Sequence, residues 1–100
     1  NPRAAIIRRD EYRKTKVKRG VTIGANATII CGNDLGEFCF IAAGAVVTKS
    51  VPAYALMVGT PTKRIGWMSK AGGRLGVDLI CPIQGTAYRQ VGPNKIEEIV

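Results

Sequence analysis

Residues 17–47 read VKRGVTIGANATIICGNDLGEFCFIAAGAVV and carry the clearest structural pattern in the chain. Every sixth residue of this stretch is aliphatic, and the members of the series are Val17, Ile23, Ile29, Leu35, Ile41 and Val47. A helix requires a spacing of about 3.6 residues and a half-buried strand a spacing of about two, so neither explains this series. A period of six is typical of a hexapeptide solenoid, in which each repeat supplies one short strand and one corner.

The residues between the aliphatic positions suit tight corners. Gly20, Asn26, Gly32 and Gly44 recur at one phase of the repeat, and these residue types tolerate a left-handed backbone. Three strands close one triangular coil, and successive coils stack at the ordinary strand spacing of about 4.8 Å. Residues 17–52 therefore predict two coils of a parallel β-helix.

Two coils bury very little core and leave open edges. We therefore expect the 100 residues to be the C-terminal part of a longer solenoid, in which preceding residues cover the open face beside Val17. Residues 1–16 lack the repeat and predict a basic loop, and Pro52 is expected to end the solenoid because it cannot continue a ladder.

Residues 53–100 predict a C-terminal tail in which only short elements are recognisable. We expect a strand over residues 54–58 and a short helix over 63–70, where Ile65 and Met68 share one face. A hairpin that pairs residues 79–81 with 87–89 and a turn at residues 92–94 complete the predicted tail.

The charge of the chain is concentrated at its start. The net charge is +8, and residues 1–19 hold eight cations against two acids. Such a segment attracts phosphates or carboxylates, as found in nucleic acids, anionic membranes, nucleotides and coenzymes. Tyr12 is its single aromatic residue and it contains no recognised binding motif, which argues against nucleic acid as the partner. The longest uncharged stretch, residues 20–33, is too short for a membrane span.

The cysteines and histidines argue against a metal site. The sequence has three cysteines and no histidine, whereas a zinc site needs paired Cys or His ligands. An odd number of unpaired cysteines fits reduced thiols and therefore a cytoplasmic protein.

Three segments together resemble one family: residues 23–32 (IGANATIICG), 41–49 (IAAGAVVTK) and 58–61 (VGTP). They resemble the C-terminal end of the left-handed β-helix acetyltransferases, hexapeptide-repeat enzymes that use acetyl-CoA and assemble as homotrimers. Three further segments, NPRA at residues 1–4, EYR at residues 11–13 and IGWMS at residues 65–69, are together similar to the N-acetyltransferases that act on UDP-2-acetamido-3-amino-2,3-dideoxyglucuronate in bacterial surface-polysaccharide synthesis. The resemblance implies an all-β, left-handed parallel β-helix that transfers acetyl to the 3-amine of a nucleotide-linked amino sugar.

The same resemblance implies roles for individual residues. Ala25 and Ala43 match coil corners whose backbone meets the pantetheine arm of the coenzyme, although corner sterics alone would select the same small residues. Thr48 and Lys49 match a pair near the adenine and ribose phosphate.

Further positions complete the expected site. Lys63, with Arg64, matches a cation placed to meet the 3′-phosphate of the coenzyme. Arg3 and Arg13 in the basic loop are our candidates for contacting the anionic nucleotide sugar, because guanidinium suits diphosphate and carboxylate. The resemblance implies that the catalytic residue lies upstream of Asn1.

Other functions remain open at this stage. A dTDP-3-amino-6-deoxyhexose is the nearest rival substrate, and it would not require a cation for a sugar carboxylate. A trimeric solenoid scaffold without catalysis predicts assembly without affinity for CoA. A nucleic-acid binder predicts affinity for random duplex that falls steeply with salt.

Overall fold

The computed structural model describes residues 14–100, so Arg3, Arg13 and all but the last residues of the predicted basic loop lie outside the described part. No helix long and apolar enough to cross a bilayer occurs among residues 14–100. The described strands are β1 (Thr22–Ile23), β2 (Thr28–Ile29), β3 (Phe40–Ile41), β4 (Val46–Val47), β5 (Ala55–Val58), β6 (Lys63–Met68), β7 (Arg74–Leu75), β8 (Tyr88–Gly92) and β9 (Lys95–Glu98).

The first four strands form two stacked coils of a parallel β-helix, as the period of six predicts. Strand β1 pairs in parallel with β3, so that Thr22 lies opposite Phe40, and β2 pairs in parallel with β4. The third face is a parallel bridge between Val17 and Leu35. Each partner lies eighteen residues further along the chain, which is the length of one triangular coil.

The inward residues of the second coil form the core of the stack. Leu35, Ile41 and Val47 are all 0% exposed. The equivalent residues of the first coil have no coil packed on their other side among the described residues, and Val17 and Ile23 are 55% and 44% exposed. Burial therefore increases from the first coil to the second along the stack.

Neighbouring coils approach each other closely at one corner. A Cβ on Gly24 would come within 2.5 Å of the backbone nitrogen of Ala43, a distance that real Cβ atoms do not show. Glycine at position 24 is therefore required for the two coils to reach hydrogen-bonding distance there.

The left-handed corner residues recur every six positions, and one of them is an aromatic residue. Gly20, Asn26, Gly32 and Gly44 have positive φ, as predicted, and so does Phe38 with φ 60°. A bulky residue in this conformation costs about 1–3 kcal/mol. Packing offsets this cost, because the Phe38 ring occupies the space that a Cβ on Gly20 would fill and stacks on Tyr54 with 5.7 Å between ring centroids.

Parallel stacking continues past Pro52, where we expected it to end. Val51 bridges Leu35, and β5 pairs in parallel with β3 so that Phe40 lies opposite Leu56. These partners are sixteen residues apart instead of eighteen. Pro52 itself lies between the two contacts, so its missing N–H interrupts no ladder bond.

The predicted helix over residues 63–70 is wrong. Residues Lys63–Met68 form β6, which pairs antiparallel with β5. The free edge of β5 supplies hydrogen-bond partners along this segment, while Gly66 disfavours a helix. Trp67 and Met68 are adjacent and both are buried, which a single helical face would not produce.

The tail hairpin differs in part from the prediction. Segments 79–81 and 87–89 meet through a single antiparallel bridge, Ile80 to Ala87, and the extended hairpin is formed by β8 and β9. Its turn is at residues 93–94, within the predicted segment. The Tyr54 and Tyr88 rings form an edge-to-face pair with 5.2 Å between centroids, and this contact holds the tail to the end of the coils.

Ile23 and Ile41 provide a matched test of the stack, because they are paired in register but differ in burial. We expect Ile41→Ala to lower the free energy of unfolding by about 2–5 kcal/mol, since it opens a cavity between two coils. Ile23→Ala should cost less than half as much, because its side chain is already 44% exposed. Urea unfolding of both variants measures the difference, and equal losses would contradict the burial gradient.

Cys39 predicts a pH dependence of stability. Burial raises the pKa of its thiol from 9.0 to about 11, because the thiolate is poorly solvated there. The unfolded chain therefore releases this proton at lower pH than the native chain, and stability falls as pH rises above 9. We expect the difference in free energy of unfolding between the unaltered protein and Cys39→Ala to narrow by up to about 1.4 kcal/mol per pH unit between 9 and 11. A pH-independent difference would show that Cys39 ionises normally in the fold.

Candidate functional site

A cavity of about 430 Å³ lies where the second coil meets the tail. Three separate segments form its walls: the end of the second coil after β4, the connection from β5 into β6, and the turn between β8 and β9. The residues that line it are Thr48, Lys49, Ser50, Pro52, Met57, Pro61, Thr62, Lys63, Arg64 and Asn94.

Backbone hydrogen bonds hold the first two walls together. The amide of Thr62 donates to the carbonyl of Val46 at 3.0 Å, and the amide of Val46 donates to the carbonyl of Gly59 at 3.0 Å. The β5–β6 connection is therefore fixed against strand β4. As a result Lys49, just after β4, and Lys63, at the start of β6, are both exposed and line the same cavity.

Arg64 joins the second wall to the third. Its guanidinium carbon lies 4.2 Å from the centroid of the Trp67 ring, a cation–π contact. Its Nη2 donates to the carbonyl oxygen of Pro93 at 3.2 Å, and its Nε is buried without a hydrogen-bond partner. Arg64 therefore stacks within its own strand and at the same time holds the β8–β9 turn.

The cavity is electropositive. Its described lining includes Lys49, Lys63 and Arg64 and contains no Asp or Glu. The hydroxyls of Thr48 and Thr62 add neutral polar groups, and Met57 and the prolines add apolar surface. A small anion-bearing ligand with an apolar portion suits this combination of charge and surface.

Four of the six residues expected to contact the coenzyme lie together at this cavity, namely Thr48, Lys49, Lys63 and Arg64. Ala25 and Ala43 lie elsewhere, at exposed corners of successive coils, where the Gly44 amide donates to the Ala25 carbonyl at 2.9 Å. They do not line the cavity.

Arg3 and Arg13 lie outside the described residues, and the catalytic residue was expected upstream of Asn1. Their roles stay predictions.

Two residues that line the cavity, Met57 and Asn94, were not identified from the sequence. Asn94 lies in a turn thirty residues after Arg64, and only the tertiary fold brings the two segments together. Met57 belongs to β5, whose strand pattern was predicted but whose side-chain direction depends on its register with β3. The missing information was the tertiary contact of the hairpin for Asn94 and the strand register for Met57.

A second polar cluster surrounds Cys81 in the tail. Its sulfur lies 3.1 Å from the hydroxyl oxygen of Ser69 and accepts hydrogen bonds from the amides of Ile83 and Gln84. The Ser69 contact, followed by these amides, lowers the pKa of the Cys81 thiol from its ordinary value. The cluster ties the loop after residue 81 to the end of β6. No group of three His, Cys, Asp or Glu side chains that could hold a metal occurs in the part of the chain that the structure describes.

Known proteins resemble the chain in sequence over about two thirds of its length. It is 39% identical over 66 residues to the dTDP-3-amino-3,6-dideoxy-alpha-D-galactopyranose 3-N-acetyltransferase of Aneurinibacillus thermoaerophilus. This aligned region covers 66% of this chain and 34% of the relative. It is 42% identical over 62 residues to a 2,3,4,5-tetrahydropyridine-2,6-dicarboxylate N-acetyltransferase of Staphylococcus aureus, covering 62% of this chain and 26% of the relative. The chain thus spans about a third or less of the curated relatives it matches. No protein-family model matches it.

Solved structures agree with this similarity. The serine acetyltransferase of Brucella abortus superposes with a TM-score of 0.54 at 44% identity, over 55% of this chain and 23% of that chain. A serine acetyltransferase in complex with cysteine gives a TM-score of 0.58 at 34% identity, over 67% of this chain and 26% of that chain. Serine acetyltransferases are left-handed β-helix proteins, and the described coils have this fold.

Proposed function

We propose that the chain forms part of an acetyl-CoA-dependent N-acetyltransferase that acts on the 3-amine of a nucleotide-linked amino sugar. The observation that carries this proposal is the cavity at the end of a left-handed β-helix, which Lys49 lines from one wall and Lys63 from another. The relatives and structural neighbours described above are acetyltransferases by name, which supports the same class of reaction.

The chemistry of acetyl-CoA suits the cavity. The nucleotide end of the coenzyme carries a diphosphate and a 3′-phosphate, and charge-assisted hydrogen bonds from lysine are strong partners for such groups. We assign Lys63 to the 3′-phosphate and Thr48 with Lys49 to the ribose and adenine. A volume of about 430 Å³ accommodates part of the coenzyme, and the pantetheine arm would extend toward the corners at Ala25 and Ala43.

The proposed acceptor is a UDP-3-amino-glucuronate type of sugar, on the basis of the motifs at both ends of residues 1–69. Arg3 and Arg13 are proposed to bind its diphosphate and carboxylate. The Aneurinibacillus relative favours a second acceptor, because its name specifies a dTDP-linked 3-amino-3,6-dideoxy sugar without a carboxylate. The two proposals share acetylation of the amine at carbon 3. Steady-state rates with both nucleotide sugars distinguish them, since a glucuronate enzyme should lose most of its rate with the 6-deoxy sugar.

The transfer itself places few demands on the described residues. A neutral amine attacks the thioester carbonyl, so that a C–N bond forms, the C–S bond breaks and CoA leaves as the thiolate. The ammonium proton is then released to the thiolate or to solvent. The chain has no histidine to act as a general base, and its described cations serve binding and orientation of the donor.

The setting proposed for this reaction is a cytoplasmic homotrimer in bacterial surface-polysaccharide synthesis. The alternative, a trimeric scaffold without catalysis, retains the coils but predicts no affinity for CoA. Binding of acetyl-CoA by a sample of trimeric mass therefore discriminates between the two.

Calorimetric titration with acetyl-CoA and dephospho-acetyl-CoA tests the proposal. We expect loss of the 3′-phosphate to weaken binding about tenfold, which is about 1.4 kcal/mol. Lys63→Met should lower the affinity for acetyl-CoA to that for the dephospho ligand and leave the dephospho ligand unaffected. Lys18→Met is the matched control, because Lys18 is equally an exposed lysine and does not line the cavity.

Two outcomes would count against this assignment. No binding by a trimeric sample would favour the scaffold. Equal affinities for the two ligands, with binding intact, would remove the role of Lys63 while leaving the transferase in place.

A further inference from the structure

The turn between β8 and β9 reaches a cavity that is otherwise built by residues 48–64. Asn94 in this turn lines the cavity together with Lys49 and Lys63. Nothing in the coil architecture requires this contact, because the hairpin belongs to the tail. Its placement therefore needs its own physical explanation.

The turn is fixed from within the hairpin. The side-chain amide of Gln90 donates to the Gly92 carbonyl at 2.9 Å, immediately before the turn. Across the hairpin Arg89 donates through Nε to the Glu97 carboxylate at 2.9 Å. At the other end Lys70 pairs with Glu98 at 2.9 Å and so ties β9 to the segment after β6. These contacts hold the β8–β9 hairpin, and with it Asn94, in a fixed position.

Arg64 fixes the turn to the cavity. It donates to the Pro93 carbonyl at 3.2 Å, and its guanidinium plane is occupied by the Trp67 ring at 4.2 Å. Its Nε is buried and has no partner, so this atom does not reach solvent or an exposed anion. A guanidinium engaged in this way links β6 to the hairpin and holds the two elements in position. Lys63, by contrast, is exposed beside it.

We infer that the Pro93–Asn94 turn is the outer wall of the pocket for the nucleotide end of the coenzyme, with Arg64 as its positioning residue and Asn94 as a specificity contact. This inference rests on the proposed function and assigns the adenine end of its donor. A carboxamide presents one donor and one acceptor side by side, which is the pattern complementary to the amino group and ring nitrogen of adenine. In this arrangement Lys63 binds the 3′-phosphate, and Arg64 contacts neither the 3′-phosphate nor the adenine.

Three ligands separate these roles in the full chain: acetyl-CoA, dephospho-acetyl-CoA and acetyl-pantetheine, which lacks the nucleotide. We expect Asn94→Ala to weaken both nucleotide-bearing ligands by about three- to tenfold and to leave acetyl-pantetheine unchanged. Lys95→Ala is the matched control at the next residue, the first of β9, because Lys95 is exposed and does not line the cavity.

Variants of Arg64 distinguish a positioning residue from a phosphate ligand. Arg64→Lys keeps the charge but loses the planar fork and the stacking on Trp67. We expect it to weaken both nucleotide-bearing ligands while their affinity ratio stays as in the unaltered protein. Lys63→Met should instead abolish that ratio. Trp67 is the sole tryptophan of the sequence, so its near-ultraviolet circular dichroism reports whether the stacking of residue 64 on this ring has been lost.

Each result decides a separate point. If the unaltered trimeric protein binds no acetyl-CoA, the proposed function fails and this inference fails with it. If it binds but Asn94→Ala has unchanged affinity for all three ligands, the inference alone is overturned. If Arg64→Lys binds normally whereas Arg64→Met loses discrimination of the 3′-phosphate, Arg64 is a phosphate ligand and its positioning role is wrong. Asn94→Ala changes an exposed turn residue, so it remains informative even if the Arg64 variants fail to fold.

Discussion

Backbone hydrogen bonds between successive coils hold the described solenoid together, because its first four strands are only two residues long. The Thr22 amide donates to the Cys39 carbonyl at 3.0 Å, and the Gly24 amide donates to the Ile41 carbonyl at 2.7 Å. These bonds require the coils to lie at strand spacing on every face. The side chains must then accept that spacing, which is why small residues occupy the corners and branched aliphatic residues fill the narrow interior.

The same constraint positions the candidate site. Each residue of a coil lies above the residue one coil earlier, so the end of β4 has a fixed place relative to the β5–β6 connection. Lys49 and Lys63 face a common cavity because Thr62 and Gly59 bond to Val46 on either side. The coils thus provide a rigid support, and loops and the tail at their end provide the chemistry.

The sequence was sufficient to predict the coils but only part of the tail. Aliphatic residues that repeat every six positions mark the inward positions of the coils, and in the second coil Ile41 and Val47 are buried at these positions. In residues 63–70 no comparable repeat exists, and the pairing of β6 with β5 overrode the weak helical pattern. The grouping of Thr48, Lys49, Lys63 and Arg64 followed from matching a family motif, whereas the contact between Arg64 and Pro93 depends on a hairpin whose position no local pattern encodes.

The nesting of the Phe38 ring on Gly20 couples two positions that are one coil apart. Any side chain at position 20 would displace the ring, and a smaller residue at position 38 would leave a gap under Tyr54. Substitutions at the two sites therefore have to occur together, with a larger residue on one rung compensated by a smaller one on the next. In related solenoids, positions 20 and 38 should therefore change together. A design that adds or removes a coil must keep the glycine and the aromatic residue eighteen residues apart, which is the length of one coil.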